Sequence, residues 1–543
     1  MNPKTYLIRQ LNKALSQAGL PATSPQVSAS RDPQFGDFST NLALTLTKKI
    51  HRKPLDIAEQ IKTCLNLDDT IIRRVTVTSP GFINFFINDD YYRNIIRLIL
   101  TKRERFGRGD SGTGKTANVE FVSANPTGPL TVGHGRQAVI GDTVANILEW
   151  HGYAVTREYY YNDAGRQMRL LGQSVETRYF QELGQNIELP KDGYQGNYLR
   201  EIAQEIRAEQ GDRLVAGDPV FRKAAEATIF SDIKQSLASL GIYHKRFANE
   251  KDYYESGAVN QLVADLKSNN LVYESEGATW FKTTALGKKQ DRVLIKGSGE
   301  PTYRLPDMAY HRDKLERKFD LIIDLFGADH TDTYPDVLAA LEALGYNIQS
   351  IKVLIHQFVT LVRSGEKVKM STRKANFVTL EELVNLVGAD VVRYFFIMRG
   401  MNSHLNFDLD LAEDESEKNP VYYLQYAHAR ICNIIKHGES MGIQFKQEFN
   451  PALLVHPTEI SLLKMLTEFP ATVVAILKSL EPQTVTTYLQ NLAALFHKFY
   501  TECKVITDDQ PLTQARLALI SAIKIVLSSG LTEILGVKAP EKM

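Results

Sequence analysis

The segment 125–134 combines residue types that suit phosphate chemistry. It follows an apolar run at 119–122, and its prolines and glycines prevent either a strand or a helix from continuing. Apolar residues then recur at helical spacing, so we expect a helix to begin near Gly133 and His134. The unpaired N–H groups at such a helix start favour a bound phosphate. His134 could donate to a phosphoryl group that gains charge, and the alternative is an ordinary strand–turn–helix with a surface histidine.

A basic segment, KVKMSTRK at 367–374, offers a second candidate for phosphate binding. It follows an apolar run at 351–359 that we predict to be a buried strand. A basic loop after the last strand of a sheet can close over a triphosphate and stabilise the charge on departing pyrophosphate. On its own, such a segment is more often a solvated turn.

Tyr303 and Asp307 offer an aromatic ring and a carboxylate close together in the chain. A guanidinium group is held best by a planar carboxylate beside an aromatic face. The two residues could therefore together hold a planar cationic group. In the alternative interpretation, Asp307 caps a helix that runs through 308–310.

Alternating strands and helices must position these side chains. Strands are expected at 119–122, 154–159, 319–326 and 351–359, with helices between them. This order predicts an α/β domain with a parallel, nucleotide-binding sheet of the Rossmann type, whose ligands lie at the carboxyl ends of the strands. Helical and hairpin-like pieces at about 185–300 suit an insertion between the two halves of the sheet.

The regions on either side of this domain differ in type. Residues 1–116 are predicted to be an α+β module, with helices near 3–18 and 55–66 and strands at 71–77 and 82–87. The module holds 18 Lys and Arg against 10 Asp and Glu, a net of +8, so the rest of the chain, which has a total of +1, carries −7. This asymmetry is compatible with contact to a phosphate backbone. From about 420 onward the apolar spacing is helical.

The segment 109–116 matches the phosphate-binding P-loop pattern G-x-x-x-x-G-K-T. A P-loop works only between a strand that leads into it and a helix that leaves it. Here a charged helix leads in and a strand follows, so we interpret the match as chance and the segment as a flexible basic linker. A kinase or ATPase that uses Lys115 is therefore the less favoured alternative.

Composition limits the class of protein. The chain has 543 residues, of which 43% are hydrophobic, enough for several domains. Its three cysteines are isolated, which favours a reducing cytoplasm and argues against a structural zinc site. No continuous run approaches the ~20 apolar residues of a membrane helix, and the N-terminal segment is predicted to be a mature amphipathic helix. We expect a cytoplasmic protein with no membrane contact.

The motifs resemble those of class I aminoacyl-tRNA synthetases. P-T-G-x-L-x-V-G-H resembles the first signature of the class, and S-A-N-P-T-G-P-L is similar to its arginine-specific branch. K-M-S-T-R resembles the second motif, K-M-S-K-[SR]. Thr131 stands where the family usually has histidine, and Thr372 where it has the second lysine. The charge missing at Thr372 could come from Lys367, Arg373 or Lys374.

The flanking regions extend the resemblance to arginyl-tRNA synthetases. Q-F-G-D-F and P-G-F-I-N-F resemble their added N-terminal domain, and Y-x-L-Q-Y-A-H-A-R and L-G-V-x-A-P-E-K-M resemble their helical anticodon-binding domain. The implied domains are 1–116, which contacts tRNA, 117–365, which is catalytic, 366–418, which holds the second motif and a connection, and 419–543, which binds the anticodon.

The resemblance implies an arginine–tRNA ligase that uses ATP as a substrate, with Mg²⁺ accompanying it, and no structural zinc or protein-bound metal. The partners are tRNA(Arg), L-arginine and ATP, and we expect a monomer. The residues implied to bind ATP are Gly128, Leu130, Thr131, Gly133, His134, Lys369 and Met370. Those implied in catalysis are His134, Thr131, Lys369, Ser371 and Arg373.

Residue-by-residue matching also implies the contacts for arginine, whereas the candidates for RNA are residues of the two flanking domains, chiefly aromatic ones that could stack on exposed bases. The arginine-binding residues are Glu120, Asn125, Tyr303, Asp307 and Glu274. The tRNA-binding residues are Phe82, Asn84, Tyr426 and Tyr488. For Glu120 a local salt bridge is the alternative, and for the aromatic residues the alternative is core packing. A tRNA-binding paralogue without chemistry also stays open, because of Thr131 and Thr372.

Overall fold

The computed structural model describes residues 3–30, 32–368 and 378–543. Along these ranges lie an α+β module, a domain with a parallel sheet, a small connecting region and a helical bundle, in that order. The fold class predicted from the sequence is confirmed.

The N-terminal module is an antiparallel sheet covered by helices. Its elements are α1 (Pro3–Gln17), β1 (Ser28–Ala29), β2 (Phe38–Thr40), α2 (Leu42–Ile50), α3 (Pro54–Thr63), β3 (Ile72–Thr78) and β4 (Phe82–Ile87). The strand order is β1-β2-β4-β3. The helices form here because their apolar residues recur on one face, and that face is buried: Leu11, Leu46 and Ile57 are fully inaccessible to solvent.

Two further helices, α4 (Asp89–Arg93) and α5 (Ile95–Lys102), connect the module to the rest of the chain and pack on the C-terminal bundle. The Arg93 side chain donates from Nε to the carbonyl of Leu454 at 3.2 Å. Arg97 donates from Nη2 to the carbonyl of Phe449 at 2.7 Å. The basic side chains of α4 and α5 therefore attach the segment after the N-terminal module to the C-terminal bundle.

The segment 109–115 is attached by backbone hydrogen bonds to the end of α6, although most of its residues are exposed, and its flexibility stays a prediction. The N–H of Gly112 donates to the carbonyl of His151 at 2.9 Å. A Cβ atom at Gly112 would lie 2.1 Å from the Tyr153 ring, so the close approach depends on glycine. The segment leads directly into a strand at Thr116, which confirms the element order that argues against a P-loop.

The central domain is a five-stranded parallel sheet with helices packed on it. Its elements are β5 (Thr116–Glu120), α6 (Val132–Trp150), β6 (Ala154–Tyr161), α7 (Gly165–Glu182), α8 (Tyr198–Gln210), α9 (Pro219–Ser239), β7 (Arg246–Asn249), α10 (Glu250–Glu255), α11 (Ala258–Ser268), β8 (Val272–Ser275), β9 (Ala278–Phe281), β10 (Arg292–Ile295), α12 (Arg304–Glu316), β11 (Leu321–Gly327), α13 (Tyr334–Ala343) and β12 (Ile351–His356). The strand order is β12-β11-β5-β6-β7, and every neighbouring pair is parallel. The order reverses at β5, where such sheets bind ligands beyond the carboxyl ends of their strands.

The region predicted as an insertion, 185–300, is only partly separate from this sheet. Strand β7 lies inside that range and pairs with β6 as an edge strand. Strands β8, β9 and β10 form a small antiparallel sheet of their own. With only four residues, R-F-A-N, β7 has too little alternation to be recognised in a sequence.

The connecting region and the bundle complete the chain. The connecting region contains β13 (Val359–Arg363), β14 (Glu366–Lys367), α14 (Leu380–Val387), α15 (Ala389–Ile397), β15 (Leu405–Asp408) and α16 (Leu409–Glu413). The bundle contains α17 (Pro420–Ser440), α18 (Pro457–Ser479), α19 (Gln483–Glu502) and α20 (Gln510–Ser528), which continues as a π-helical segment at Ser529–Leu535.

Two helices of the bundle are long and apolar enough to cross a membrane by length and composition alone: Pro457–Ser479 and Gln510–Leu535. Neither helix is a continuous apolar run in the sequence, because short polar interruptions break each of them. In the structure, 67% of the most apolar window of Gln510–Leu535 is buried against other parts of the protein. Core helices of a bundle have the same composition, so this finding is weak evidence for a membrane span.

Candidate active site

The loop after β5 leaves the sheet abruptly. Val122 and Ser123 adopt φ values of 70° and 42°, a left-handed backbone that is rare for residues with a side chain. Two tyrosine hydroxyls fix the loop that follows. Tyr159 donates to the carbonyl of Ala124 at 2.8 Å, and Tyr198 donates to the carbonyl of Thr127 at 2.6 Å. The loop therefore reaches α6 in a fixed conformation.

The N-terminus of α6 presents its free groups at the carboxyl edge of the sheet. Thr131 is the N-cap residue, and its backbone N–H donates to Nδ1 of His134 at 3.1 Å. Since Nδ1 accepts, neutral His134 carries its proton on Nε2. Burial lowers the pKa of His134 to about 4, although Asp329 acts in the opposite direction, so the ring is neutral at pH 7. A neutral Nε2–H donor thus stands beside free backbone N–H groups.

The other residues predicted for ATP differ in how they contribute. A Cβ atom at Gly133 would have open space around it, with Thr131 Oγ1 nearest at 3.6 Å, so the backbone is accessible to a ligand. A Cβ atom at Gly128 would lie 3.2 Å from the Tyr198 hydroxyl oxygen, so a side chain there would crowd the tyrosine. The Leu130 side chain is buried, so that residue offers only its backbone. As a cap, Thr131 accepts from the His134 backbone N–H through its hydroxyl oxygen, and the same hydroxyl lies 3.3 Å from His134 Nδ1, to which it can donate.

The predicted residues Lys369, Met370, Ser371 and Arg373 lie in 369–377, outside the described residues. The residues that follow contact the α6 turn: the N–H of Leu380 donates to the carbonyl of Leu130 at 2.8 Å, and Thr379 pairs with Thr131 across an isolated bridge. Helix α14 therefore begins directly beside the candidate phosphate site.

Glu120 is paired within the protein. Its Oε2 contacts Nζ of Lys314, and its Oε1 accepts from Ser123 Oγ at 2.8 Å. Nζ of Lys314 also donates to Asp324 at 2.6 Å. Both oxygens of Glu120 are therefore occupied, and the salt bridge given as the alternative is what the structure contains. Glu120, His311 and Asp324 lie close enough together to hold a metal ion. The Lys314 ammonium, however, already pairs with both carboxylates and supplies the cation of this cluster.

Asp307 lies in the first turn of α12, whose N-terminus is at the carboxyl edge of the sheet. The helix begins at Arg304 with Tyr303 as its N-cap, so the alternative that Asp307 caps the helix is wrong. The Asp307 side chain is 31% exposed, and the Tyr303 side chain is largely exposed. Both side chains are accessible to a ligand at the edge where α6 begins.

Glu250, which no sequence pattern indicated, is a buried carboxylate within electrostatic range of Asp307. It follows β7 directly and accepts a hydrogen bond from the Tyr160 hydroxyl at 2.9 Å. Burial raises the pKa of Glu250 to about 7, and the negative charges of Asp163 and Asp307 add to this effect, although the bond from Tyr160 opposes it. Two carboxylates that converge in this way create a place for a cation. Glu250 was missed because β7 was not recognised.

Two further residues predicted for arginine lie in different surroundings. Asn125 is half-buried in the loop after β5 and donates to the Gln167 side chain at 2.7 Å. Glu274 is exposed on β8 and accepts from Thr279 at 2.9 Å. Glu274 is not among the charged groups that act on Glu250 or His311, so its contact with arginine stays a prediction.

The four residues predicted for RNA divide into two buried and two accessible side chains. Asn84 is 1% exposed and donates to Thr78, and Tyr488 is 5% exposed and donates to the carbonyl of Met465. Phe82 is 36% exposed. Tyr426 is half-buried on α17.

Tyr426 belongs to an aromatic and basic surface on α17 and α19. The Arg430 guanidinium lies 4.3 Å from the centre of the Tyr426 ring and 4.8 Å from the centre of the Tyr500 ring. The Tyr500 side chain is 43% exposed. His497 stacks near Tyr426 and contacts Arg430. Such a surface can stack on unpaired bases.

A parallel sheet with a helix start at its switch point, followed by a helical bundle, is the arrangement of a class I aminoacyl-tRNA synthetase, and the family models assign the chain to that class. Models of three domain families match the chain: "Arginyl tRNA synthetase N terminal domain" over 5–87, "tRNA synthetases class I (R), catalytic domain" over 95–390 and "DALR anticodon binding domain" over 424–543.

Relatives identify the branch of this class. An arginine–tRNA ligase of Salinibacter ruber is 47% identical over 99% of this chain and 100% of its own length. One of Desulfotalea psychrophila is 48% identical over 94% of this chain and 93% of its own. A solved structure described as a putative arginyl-tRNA synthetase from Campylobacter jejuni has a TM-score of 0.77 and 32% identity, covering 84% of this chain and 100% of its own. The chain belongs to the arginyl-tRNA synthetase family and is a ligase that forms aminoacyl-tRNA.

Proposed function

We propose that this ligase activates arginine with ATP at the N-terminus of α6 and transfers it to tRNA(Arg). The observation that carries the proposal is that Tyr160 donates to Glu250 while its ring stacks on Tyr310 of α12, the helix that holds Asp307 in its first turn at the edge of the sheet where α6 begins. An anion site and a cation site thus lie on one edge, as the phosphates of ATP and the guanidinium of arginine require. The order of elements around Lys115, with a strand after the segment and not before it, argues against the alternative of a P-loop kinase.

In the proposed reaction the arginine carboxylate attacks the α-phosphorus of ATP and pyrophosphate leaves. The adenylate then passes its acyl group to a hydroxyl at the 3′ end of tRNA. Alignment and charge stabilisation contribute most to such a reaction. His134 donates from Nε2 to the phosphates, with Thr131 and Gly133 beside it. Lys369 and its neighbours are proposed to stabilise the departing pyrophosphate.

Mg²⁺ is proposed to enter with ATP. Among the described residues, the cluster Glu120, His311 and Asp324 has the spacing of a metal site, but Lys314 supplies its cation. Mg²⁺ bound mainly through phosphate oxygens and water fits such a protein better than a cage of side chains.

For arginine, the proposed contacts are Asp307 and Glu250 on the guanidinium, with the Tyr303 ring beside it. Asn125 is proposed to hold the α-amino and carboxylate end. Glu250 is placed ahead of Glu274, because Glu250 is buried within electrostatic range of Asp307 and Glu274 is exposed on a separate sheet. A carboxylate pair suits a guanidinium better than an ammonium, because it can accept from the full donor fork.

For tRNA, we propose two surfaces. Phe82 remains the candidate in the N-terminal module, and Tyr426 with Arg430 and Tyr500 forms the candidate surface in the bundle. Asn84 and Tyr488 are removed from the proposal because both are buried and hydrogen-bonded inside the protein. A monomer in the cytoplasm, without membrane contact, completes the proposal.

Arginine-dependent exchange of pyrophosphate into ATP, with and without tRNA(Arg), tests the function. We expect exchange with arginine and tRNA, and transfer of labelled arginine to tRNA. Binding of tRNA without either reaction would support the non-catalytic paralogue. Exchange that depended equally on lysine or citrulline would contradict the assignment of the Asp307 and Glu250 site to a guanidinium.

A further inference from the structure

His311 connects the proposed arginine site to the interior of the sheet. It lies one helical turn after Asp307 on α12 and is 3% exposed. Its Nδ1 is 3.0 Å from Asp307 Oδ1 and 2.9 Å from the Asp307 carbonyl oxygen. Its Nε2 is 3.2 Å from Oδ2 of Asp324 on β11. Each ring nitrogen therefore faces a carboxylate.

The partners determine the protonation state of this ring. A carbonyl oxygen can only accept, so Nδ1 must donate. On the opposite side, Asp324 also accepts from the Lys314 ammonium at 2.6 Å, which favours its ionised form. An ionised carboxylate can only accept, so Nε2 must donate as well. A histidine that donates from both nitrogens is an imidazolium.

The surrounding charges agree with this state. Burial and the charge of Lys314 both lower the pKa of His311, but Asp307 and Asp324 outweigh them and raise it to about 10. Burial would raise the pKa of Asp324, but Lys314 and His311 together lower it well below its ordinary value. Tyr310 presents its ring to His311 edge-on, and Glu120 reaches the cluster through Lys314.

We infer that His311 is a positioning residue for arginine selection, whose imidazolium fixes one oxygen of Asp307 so that the other oxygen faces the substrate guanidinium. The inference rests on the proposed role of Asp307. A carboxylate that is 31% exposed would otherwise sample several rotamers, and fixing it in advance removes that cost from binding.

Substitution of His311 by glutamine tests the positioning role. Glutamine keeps a polar side chain but has no charge and no second donor on the opposite side. We expect the KM for arginine in pyrophosphate exchange with tRNA to rise about tenfold, the scale of losing one charged hydrogen bond. The KM for ATP should change less than about twofold. The ratio of arginine to citrulline use should fall with the rise in KM.

Arg312→Gln is the matched control. Arg312 is the next residue on α12 and also pairs with two carboxylates, Asp265 and Glu316, but it does not contact Asp307. Its replacement should leave the KM for arginine unchanged. An equal rise in both variants would overturn the inference, because it would reflect general weakening of the helix.

A double-mutant cycle with Asp307→Asn separates this inference from the proposed function. If His311 acts through Asp307, adding His311→Gln to Asp307→Asn should cost no further arginine affinity. Additive losses would overturn the inference and leave Asp307 as the specificity residue. If Asp307→Asn alone left arginine selection intact, the proposed function of the site would fail instead.

The charge state is testable in the unsubstituted protein. With ¹⁵N-labelled histidine, we expect one of the 12 histidines to retain both ring protons at pH 8.5, where ordinary histidines are neutral. That signal should be absent from the His311→Gln spectrum. Histidine signals that were all neutral at pH 8.5 would overturn the inference, even if the variant did not fold.

Discussion

Arg393 on α15 and Asp142 on α6 form a buried ion pair, with Nη2 of the arginine 2.6 Å from Oδ2 of the aspartate. The same guanidinium donates to two backbone carbonyls, both at 2.8 Å. One belongs to Leu535, the last residue of the π-helical segment, and the other to Leu240, directly after α9. One side chain thus joins the connecting region, the C-terminal bundle and two parts of the catalytic domain. The arrangement links the helix that carries His134 to the bundle proposed to bind tRNA.

Arg393→Met should therefore destabilise the protein strongly. Removing one partner of a buried pair typically costs about 3–5 kcal/mol. We expect about 3 kcal/mol, because Asp142 keeps Arg157 as a second partner while two carbonyls lose their donors. Denaturant unfolding followed by circular dichroism measures the effect. Arg399→Met, at an exposed position just after α15, is the control and should leave the midpoint within about 0.5 kcal/mol of the original.

Lys115→Ala should leave arginine activation nearly intact. Lys115 lies before β5, at the opposite end of that strand from the α6 site, and its ammonium is 6.0 Å from the Tyr153 ring. A P-loop lysine bound to phosphates would be essential to turnover. Pyrophosphate exchange by the purified variant measures this. A loss of roughly a hundredfold or more, with unchanged folding, would restore the kinase interpretation.

His134→Ala should lower the rate constant of adenylate formation more than it weakens ATP binding. The neutral Nε2–H, fixed by the Thr131 N–H, is directed at charge that develops during the reaction. Losing one preorganised donor costs roughly 2–4 kcal/mol in the transition state. Lys369→Ala should behave in the same way. Single-turnover kinetics at several ATP concentrations separate the two quantities, and a pure loss of ATP affinity would mean that both residues act in the ground state.

Local patterns in the sequence predicted the parts of the site that are continuous in the chain. The turn and helix start around His134, and Asp307 as an accessible carboxylate, depend on neighbouring residues. Glu250 and the pairing of Glu120 with Lys314 depend on which distant segments meet, and no local pattern specifies that. Tyr426 and Tyr488 are both tyrosines on amphipathic helices, so the sequence does not distinguish them. Only the packed structure shows that Tyr426 is partly accessible and that Tyr488 is buried in the core.

Arginine binding should weaken as pH falls below 7. In the free site the pKa of Glu250 is about 7, raised from 4.5 by burial and neighbouring carboxylates. A bound guanidinium favours the ionised carboxylate, so below pH 7 arginine must displace a proton and its affinity falls by up to about tenfold per pH unit. Above pH 7 the affinity should be nearly constant. Calorimetric titration of arginine between pH 5.5 and 8.5 measures this dependence.

Glu250→Gln should weaken arginine binding at pH 8 and flatten the dependence on pH, since the titrating carboxylate is gone. Glu255→Gln is the control on the same short helix, and its exposed side chain should leave both quantities unchanged. Retention of the full pH dependence in Glu250→Gln would assign the titration to another group.

Asp307→Asn should abolish selection for arginine over citrulline, which is similar in shape but neutral. The carboxylate faces the proposed guanidinium site, whose donor fork suits two ionised oxygens, whereas the amide of asparagine would present a donor to donors. A desolvated substrate cation would lose a partner, at a cost of several kcal/mol. The original protein should reject citrulline, because Asp307 would then remain without its cation.

The ratio of kcat/KM for the two amino acids, in pyrophosphate exchange with tRNA, measures this selection. In Asp307→Asn the ratio should collapse, chiefly through loss of arginine use. The interpretation of Asp307 as a helix cap predicts a change of about 1 kcal/mol or less in stability and none in selection, and α12 already begins three residues earlier, at Arg304. A variant that kept the ratio would therefore leave Asp307 with no role in specificity, and Glu250 alone would have to hold the guanidinium.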